Sequence, residues 1–358
     1  MKLMLKAKLF LYRFLSTNPG KSILNLLSFG VKAENLGPEK EKKCHFLVAI
    51  TVDTESGYVD RDERRVWQKE KPEAFQGYYL GIRNLLSVFD KYKIKSIFFL
   101  STQCFSSKGK ERKLIDKEIK NLIKNKHELG LHLHPDSDFA LQKKSGRKFN
   151  ATSAFFYSYE EKFKIIKSTR ELIKENLGKN AEKNLISFRW GNWALDSGGV
   201  KALNKLGFKI DSSATPGIKG HLNDTMKYDW SRVKRHYPWI LSIKDYQETS
   251  HNNSNTMEMP IATFDFFGLT LRADPVNSIL VNKAFIEYYR NANRSEKPFP
   301  FVVITHSSEA TTKEGNETTA LKDLEGFIKF AKKYPDVRFV SLKDAHRLIS
   351  LQQLQNNM

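Results

Sequence analysis

The sequence predicts an α/β fold, a largely parallel sheet wrapped by helices and closed into a barrel. Three observations predict it. Strand-like and helix-like segments alternate from residue 45 onward. The first of these strands runs straight into two carboxylates, Asp53 and Glu55. Polar residues with chemical potential then recur at four further strand ends: His132 with His134, Arg189, Asp211 and His306. Periodicity alone does not separate a barrel from an open sheet. Five such clusters on five strands favour the barrel, whose C-terminal strand ends converge on one mouth.

From the N-terminus, Met1 to Leu15 carries Lys2, Lys6 and Arg13 on one helical stripe, with Lys8 off it, in a largely apolar background. It is too short and too charged to span a bilayer, and no small-residue cleavage site succeeds it. It fits a helix lying against an anionic membrane interface or an extra helix packed on the domain. Gly37-Pro38 and the charged run Glu39 to Lys43 read as a linker, so residues 1–42 form a basic N-terminal segment and 43–354 one domain. Strands are expected at residues 45–52, 96–100, 128–133, 185–188, 208–210, 256–260, 301–305 and 337–341, where β-branched and apolar residues cluster. Helices are expected at residues 75–91, 110–126, 158–176, 197–206, 276–293, 319–333 and 342–354. In the third, Phe163, Ile166, Thr169, Leu172 and Ile173 recur at helical spacing and Gly178 stops the run. The span from Lys219 to Met259 shows no clear period and reads as a substrate-covering insertion or a surface loop.

Composition narrows the function. With 40% hydrophobic and 28% charged residues in 358, the chain is globular, with room for a sizeable core. Its net charge of +20 favours anionic partners such as acidic glycans or a membrane surface. The lysines are spread along the chain and no nucleic-acid-binding signature is present, so nucleic acid is not expected as a partner. Two cysteines, Cys44 and Cys104, fit no metal-ligand spacing and point to a reducing compartment.

The motifs carry the chemistry. Val48 to Glu55 reads Val-Ala-Ile-Thr-Val-Asp-Thr-Glu, and residues two apart on an extended chain share a face. Two carboxylates side by side repel unless a cation offsets them. His132 and His134 are also two apart, and imidazole suits a transition metal. Asp136 reaches the same centre if the chain turns after Pro135. Arg189, between Phe188 and Trp190, is suited to hold a carboxylate, with Trp190 and Trp193 as aromatic walls. Asp211 ends a short strand and opens a turn, and His306 comes after an apolar run as a third ligand or a general acid.

In this order, Thr-Val-Asp-Thr-Glu, Gly-Leu-His-Leu-His-Pro, Phe-Arg-Trp-Gly, Gly-Phe-Lys-Ile-Asp-Ser-Ser and Ile-Thr-His resemble the polysaccharide deacetylases of the NodB-homology type (carbohydrate esterase family 4). Ser96-Ile-Phe-Phe-Leu is similar to that family's second strand, and the resemblance covers about Lys43 to Ile349. It implies an irregular (β/α)7 barrel and a divalent metal, usually zinc. It makes Asp53 the general base, Glu55 and His132 metal ligands, Arg189 the tether of the base and His306 the acid that protonates the leaving amine. Asp211 is a further catalytic candidate.

Two departures stand out. The family's adjacent aspartates are replaced by Asp-Thr-Glu, and the second histidine of His-X-X-X-His is replaced by Asp136. Either His134 or Asp136 therefore completes the metal site. The resemblance implies hydrolysis of an N-acetyl group on an amino sugar, with a carbohydrate substrate that is anionic or lipid-linked. The absence of an export signal points to the cytoplasm, or to the inner face of the membrane through residues 1–15. Alternatives are a metal-dependent hydrolase of a non-sugar amide or cyclic imide, and an inactive glycan-binding barrel.

Overall fold

The computed structural model describes residues 46–355 apart from 222–226, 251–252, 267, 276–277, 294–296 and 335. The basic stretch of residues 1–15, the linker and Cys44 lie outside the described residues. Among those described, no helix is long and apolar enough to cross a membrane.

Apolar, β-branched Phe46 to Val52 forms β1 (Phe46–Thr54), buried at every position. It is an inner strand, paired along both edges, and neither of its faces meets water. On one side it pairs in parallel with β14 (Phe299–His306), in register from Phe46↔Phe299 to Asp53↔His306. On the other it pairs with β4 (Ile97–Ser101) and, at its start, with β15 (Val337–Phe339). The sheet continues in parallel through β5 (Glu128–Leu133), β6 (Ser187–Trp190), β7 (Ile210–Asp211) and β11 (Met257–Glu258), and ends on antiparallel β10 (Trp239–Ile240). The irregular segment after β11 closes the ring: Ile261 N donates to the Ala214 carbonyl, Ala262 N to the Val302 carbonyl, and Ile261 bridges Val302 in parallel. This is the curled, largely parallel barrel that the polar clusters at the strand ends favoured.

Because strand side chains alternate faces, the two faces of the barrel wall form two cores. Leu47, Ala49, Phe99, Val302 and Ile304 point inward, and Leu342, Ala345 and Ile349 of the helix Leu342–Gln355 plug the bottom. Val48, Ile50, Phe98, Leu131 and Val303 point outward into the helical layer. The helix Tyr159–Leu177 opens on a capping box formed by Ser158 and Glu161 and stops at Gly178, as its sequence signals predict.

The sequence did not mark the short antiparallel pairs: β2 (Gly57–Val59) with β3 (Arg65–Trp67), β8 (Lys219–His221) with β9 (Lys227–Asp229), and β12 (Thr263–Phe266) with β13 (Leu269–Arg272). Each is too short to show a period. The aromatic span from Lys219 is not a plain surface loop. Trp230 is fully buried, Tyr246 donates to the Asp229 carbonyl at 2.5 Å, and β10 and β11 join the barrel wall.

Candidate metal and acid–base site

β1 runs two residues beyond its predicted end, so alternation carries Asp53 inward, Thr54 outward and Glu55 inward again at the mouth. Asp53 Oδ1 accepts from Arg189 Nη1 at 2.7 Å. Arg189 is itself fully buried: Nε donates to the Ser212 carbonyl at 2.8 Å, Nη2 to Ser212 Oγ at 2.9 Å, and the guanidinium lies 4.4 Å from the centre of the Phe99 ring. The ring beneath Arg189 is therefore Phe99. Trp190, expected as its wall, faces outward and donates to the Thr152 carbonyl. Burial pushes the Asp53 carboxyl up, but Arg189, His132 and His306 overcome it and hold it at about 2. Asp53 is thus a fixed carboxylate, aimed with its free oxygen at the two imidazoles.

Glu55, His132 and His134 each offer a ligand atom, and these atoms lie within 4.8 Å of one another. His132 Nδ1 is 3.1 Å from the Arg189 carbonyl. A carbonyl only accepts, so this contact places the proton on Nδ1 and leaves the Nε2 lone pair facing the cluster. His132 Nε2 and His134 Nε2 are 3.1 Å apart, and His134 Nε2 is 3.3 Å from Glu55 Oε2. Edges of a tetrahedral zinc site with nitrogen and oxygen ligands are about 3.4 Å. Burial drives both imidazoles down to about 4, so both are neutral and suited to coordinate. The donor set fits a divalent transition metal, because a cation among the three gives each inward lone pair a partner.

The second oxygen of Glu55 is held by Arg65 of β3, whose guanidinium also donates to Ser308 Oγ at 2.9 Å and Glu309 Oε1 at 3.3 Å. His306 Nε2 lies 3.9 Å from Asp53 Oδ2 and 3.9 Å from Glu55 Oε1. Its Nδ1 is 3.0 Å from Glu309 Oε2, and its backbone N–H donates to the same oxygen at 3.2 Å. Burial and Arg65 push the His306 imidazole down, but Glu309 and Glu55 more than offset them, and its pKa is raised above the ordinary value. His306 is therefore the imidazole here whose pKa stands above its ordinary value, whereas burial holds those of His132 and His134 below theirs.

Two sequence candidates lie outside the three-ligand group. The carboxylate of Asp136 accepts from Thr152 Oγ1 at 2.6 Å and meets Lys69 Nζ at 2.9 Å, outside the three-ligand group. Asp211 faces away from the mouth. Lys209 N and Ile210 N both donate to the Ile186 carbonyl, a bulge that sets two residues against one and reverses the facing of the residues after it. Ile210 and Ser212 consequently point into the barrel, and Asp211 points out, against Ser213 and beside Glu258, its register partner. Burial raises the pKa of Asp211, and burial together with the neighbouring Asp211 carboxylate raises that of Glu258 still further. His127, just before β5, is buried against Ser96.

Sequence reasoning missed Arg65 and Glu309. Arg65 lies in a hairpin with no period. Glu309 carried a signal, since His-X-X-Glu at a strand end has the spacing of a capping box, which it forms with His306.

No family model and no curated protein matches the chain. Solved structures do match in fold. A protein named as a polysaccharide deacetylase from Mycobacterium smegmatis is 15% identical, with 88% of this chain and 93% of that chain covered and a TM-score of 0.53. One named as a glycoside hydrolase/deacetylase from Parabacteroides distasonis is 13% identical, over 89% and 73%, with a TM-score of 0.59. Puue allantoinase is 11% identical, over 85% and 90%, with a TM-score of 0.54. The fold is that of the polysaccharide deacetylase barrel.

Proposed function

We propose that the chain is a metal-dependent hydrolase that removes an N-acetyl group from an amino sugar in a glycan or glycan precursor, as in surface-polysaccharide assembly. One observation carries this reading: a buried carboxylate, Asp53, tethered by Arg189, and the imidazole of His306 flank a group of three metal-ligand atoms at one barrel mouth. A divalent metal held by Glu55, His132 and His134, zinc first among candidates, would supply Lewis-acid polarisation of the acetyl carbonyl and a more acidic water. Asp53 takes the proton of the attacking water through the oxygen that Arg189 leaves free. Arg189 is held at three points and fixes the direction of that oxygen. His306 gives its Nε2 proton to the departing nitrogen, which would otherwise leave as a costly amide anion. Glu309 fixes the ring by accepting at Nδ1. The products are acetate and a free amine.

Metal content by elemental analysis, followed by acetate release from N-acetylated oligosaccharides, tests the reading. About one tightly held metal per chain with acetate release is expected. A chain that binds no metal in excess zinc overturns it. The structural likeness to an allantoinase supports a second reading, opening of a cyclic ureide at the same centre. Turnover of allantoin with no acetate release from any sugar would select it.

A further inference from the structure

We infer that the mouth carries a binding site for an anionic group of the substrate, a carboxylate or a phosphate, built from Arg272 on the face of Trp193. The inference rests on the sugar-deacetylase reading and names the class of sugar it would take.

Trp193 is held in an unusual backbone. Asn192 and Trp193 both have positive φ, at 50° and 57°. A bulky side chain in the left-handed region is a genuine outlier, and such residues persist where the surroundings enforce them, often at functional sites. The enforcement is visible: the buried Trp230 indole donates to the Trp193 carbonyl at 2.8 Å, and Tyr228 meets the Trp193 ring edge-on at 5.5 Å. The turn also sits against the candidate metal site. A Cβ added to Gly191, two residues earlier, would lie 2.7 Å from His134 Nε2.

Arg272, at the end of β13, lays its guanidinium 3.7 Å from the centre of the Trp193 ring. The next residue, Ala273, accepts through its carbonyl from Ile304 N, two residues before His306 on β14. The Arg272–Trp193 pair therefore joins the His134 side of the mouth to the His306 side. Stacking uses the face of the guanidinium and leaves its N–H edge unspent. Among the described residues, Arg272 has no ion pair and no side-chain hydrogen bond. None of its nitrogens is sealed from solvent without a partner. The contrast with the other arginines near the mouth is sharp, since Arg65 and Arg189 are committed to carboxylates. A partly buried guanidinium, rigidly stacked and with its donor edge free, is pre-organised for bidentate capture of an oxyanion. The net charge of +20 would draw such a ligand in.

The test is calorimetric binding to the zinc-reconstituted protein, using N-acetylglucosamine, its 6-phosphate and its 6-carboxylate. The two charged ligands distinguish phosphate from carboxylate recognition. The expected result is that at least one charged sugar binds about tenfold or more tightly than the neutral one, the worth of a charge-assisted hydrogen bond. Arg272→Gln should abolish that preference at unchanged zinc content, and Arg272→Lys should restore part of it. Equal binding of charged and neutral sugars, no binding of either charged sugar, or a preference that survives in Arg272→Gln overturns the inference. Survival in that variant would assign the anion to the metal itself. Acetate release is scored separately. Release without charge preference sinks this inference alone, whereas charge preference without release sinks the deacetylase reading alone.

Discussion

Asp53 and Glu55 share one face of β1, yet their surroundings give them different work. Asp53 faces Arg189 and is locked as an anion, and Glu55 turns one oxygen to Arg65 and the other to His134. Asp53→Asn keeps the shape and removes the charge. It should retain the metal while turnover falls by about 10²–10⁴-fold, the usual worth of a positioned acid or base, as read by elemental analysis beside acetate release. Normal turnover would show that the base lies elsewhere. The pH profile tests His306. Its pKa is raised and it acts in the protonated form, so kcat/KM should fall as pH rises through that pKa. Glu309 is a cause of the raise and Arg65 opposes it. Glu309→Gln should therefore move the alkaline limb to lower pH, and an unmoved limb would separate Glu309 from the acid.

Two short elements set the candidate metal site, although neither supplies a candidate ligand. The hairpin of β2 and β3 brings Arg65 onto the outer oxygen of Glu55, which leaves the other oxygen to face the imidazoles. Partners of this kind are worth about 10–100-fold in metal affinity. Arg65→Gln should weaken zinc binding by that order in a chelator competition. The turn after β6 works by absence of a side chain: at Gly191 a Cβ would fall 2.3 Å from the Leu133 carbonyl oxygen and 2.7 Å from His134 Cε1 and Nε2. Gly191→Ala should displace His134 and lower zinc affinity while the far-ultraviolet circular dichroism stays native. Unchanged affinity would mean that His134 is free to move or does not bind metal.

At the scale of the molecule, the barrel separates stability from chemistry along its axis. The mouth is polar, and the opposite end is plugged by the helix Leu342–Gln355. Ile349 is fully buried there. Ile349→Ala should cost about 2–5 kcal/mol in urea unfolding, and zinc content at saturation should stay unchanged because distant sites act independently. Loss of zinc together with stability would show that plug and mouth are coupled. Much of this arrangement is legible in the sequence. Apolar runs marked the parallel strands of the wall, and the period of two placed Asp53 with Glu55 and His132 with His134 on shared faces, since alternation is local backbone geometry. Tertiary structure decided the rest. The bulge at Lys209 and Ile210 turned Asp211 outward, and one extra residue in a strand is invisible until its partner is known. Asp136 sits beside His134 with Thr152 and Lys69, outside the three-ligand group, through contacts that the local sequence does not show. Arg65 and Glu309 reached the site through a hairpin and a turn, elements whose course depends on what they pack against. The sequence by itself determined which side chains share a strand face. Only the closed barrel decided which faces meet, because that depends on register between strands far apart in the chain.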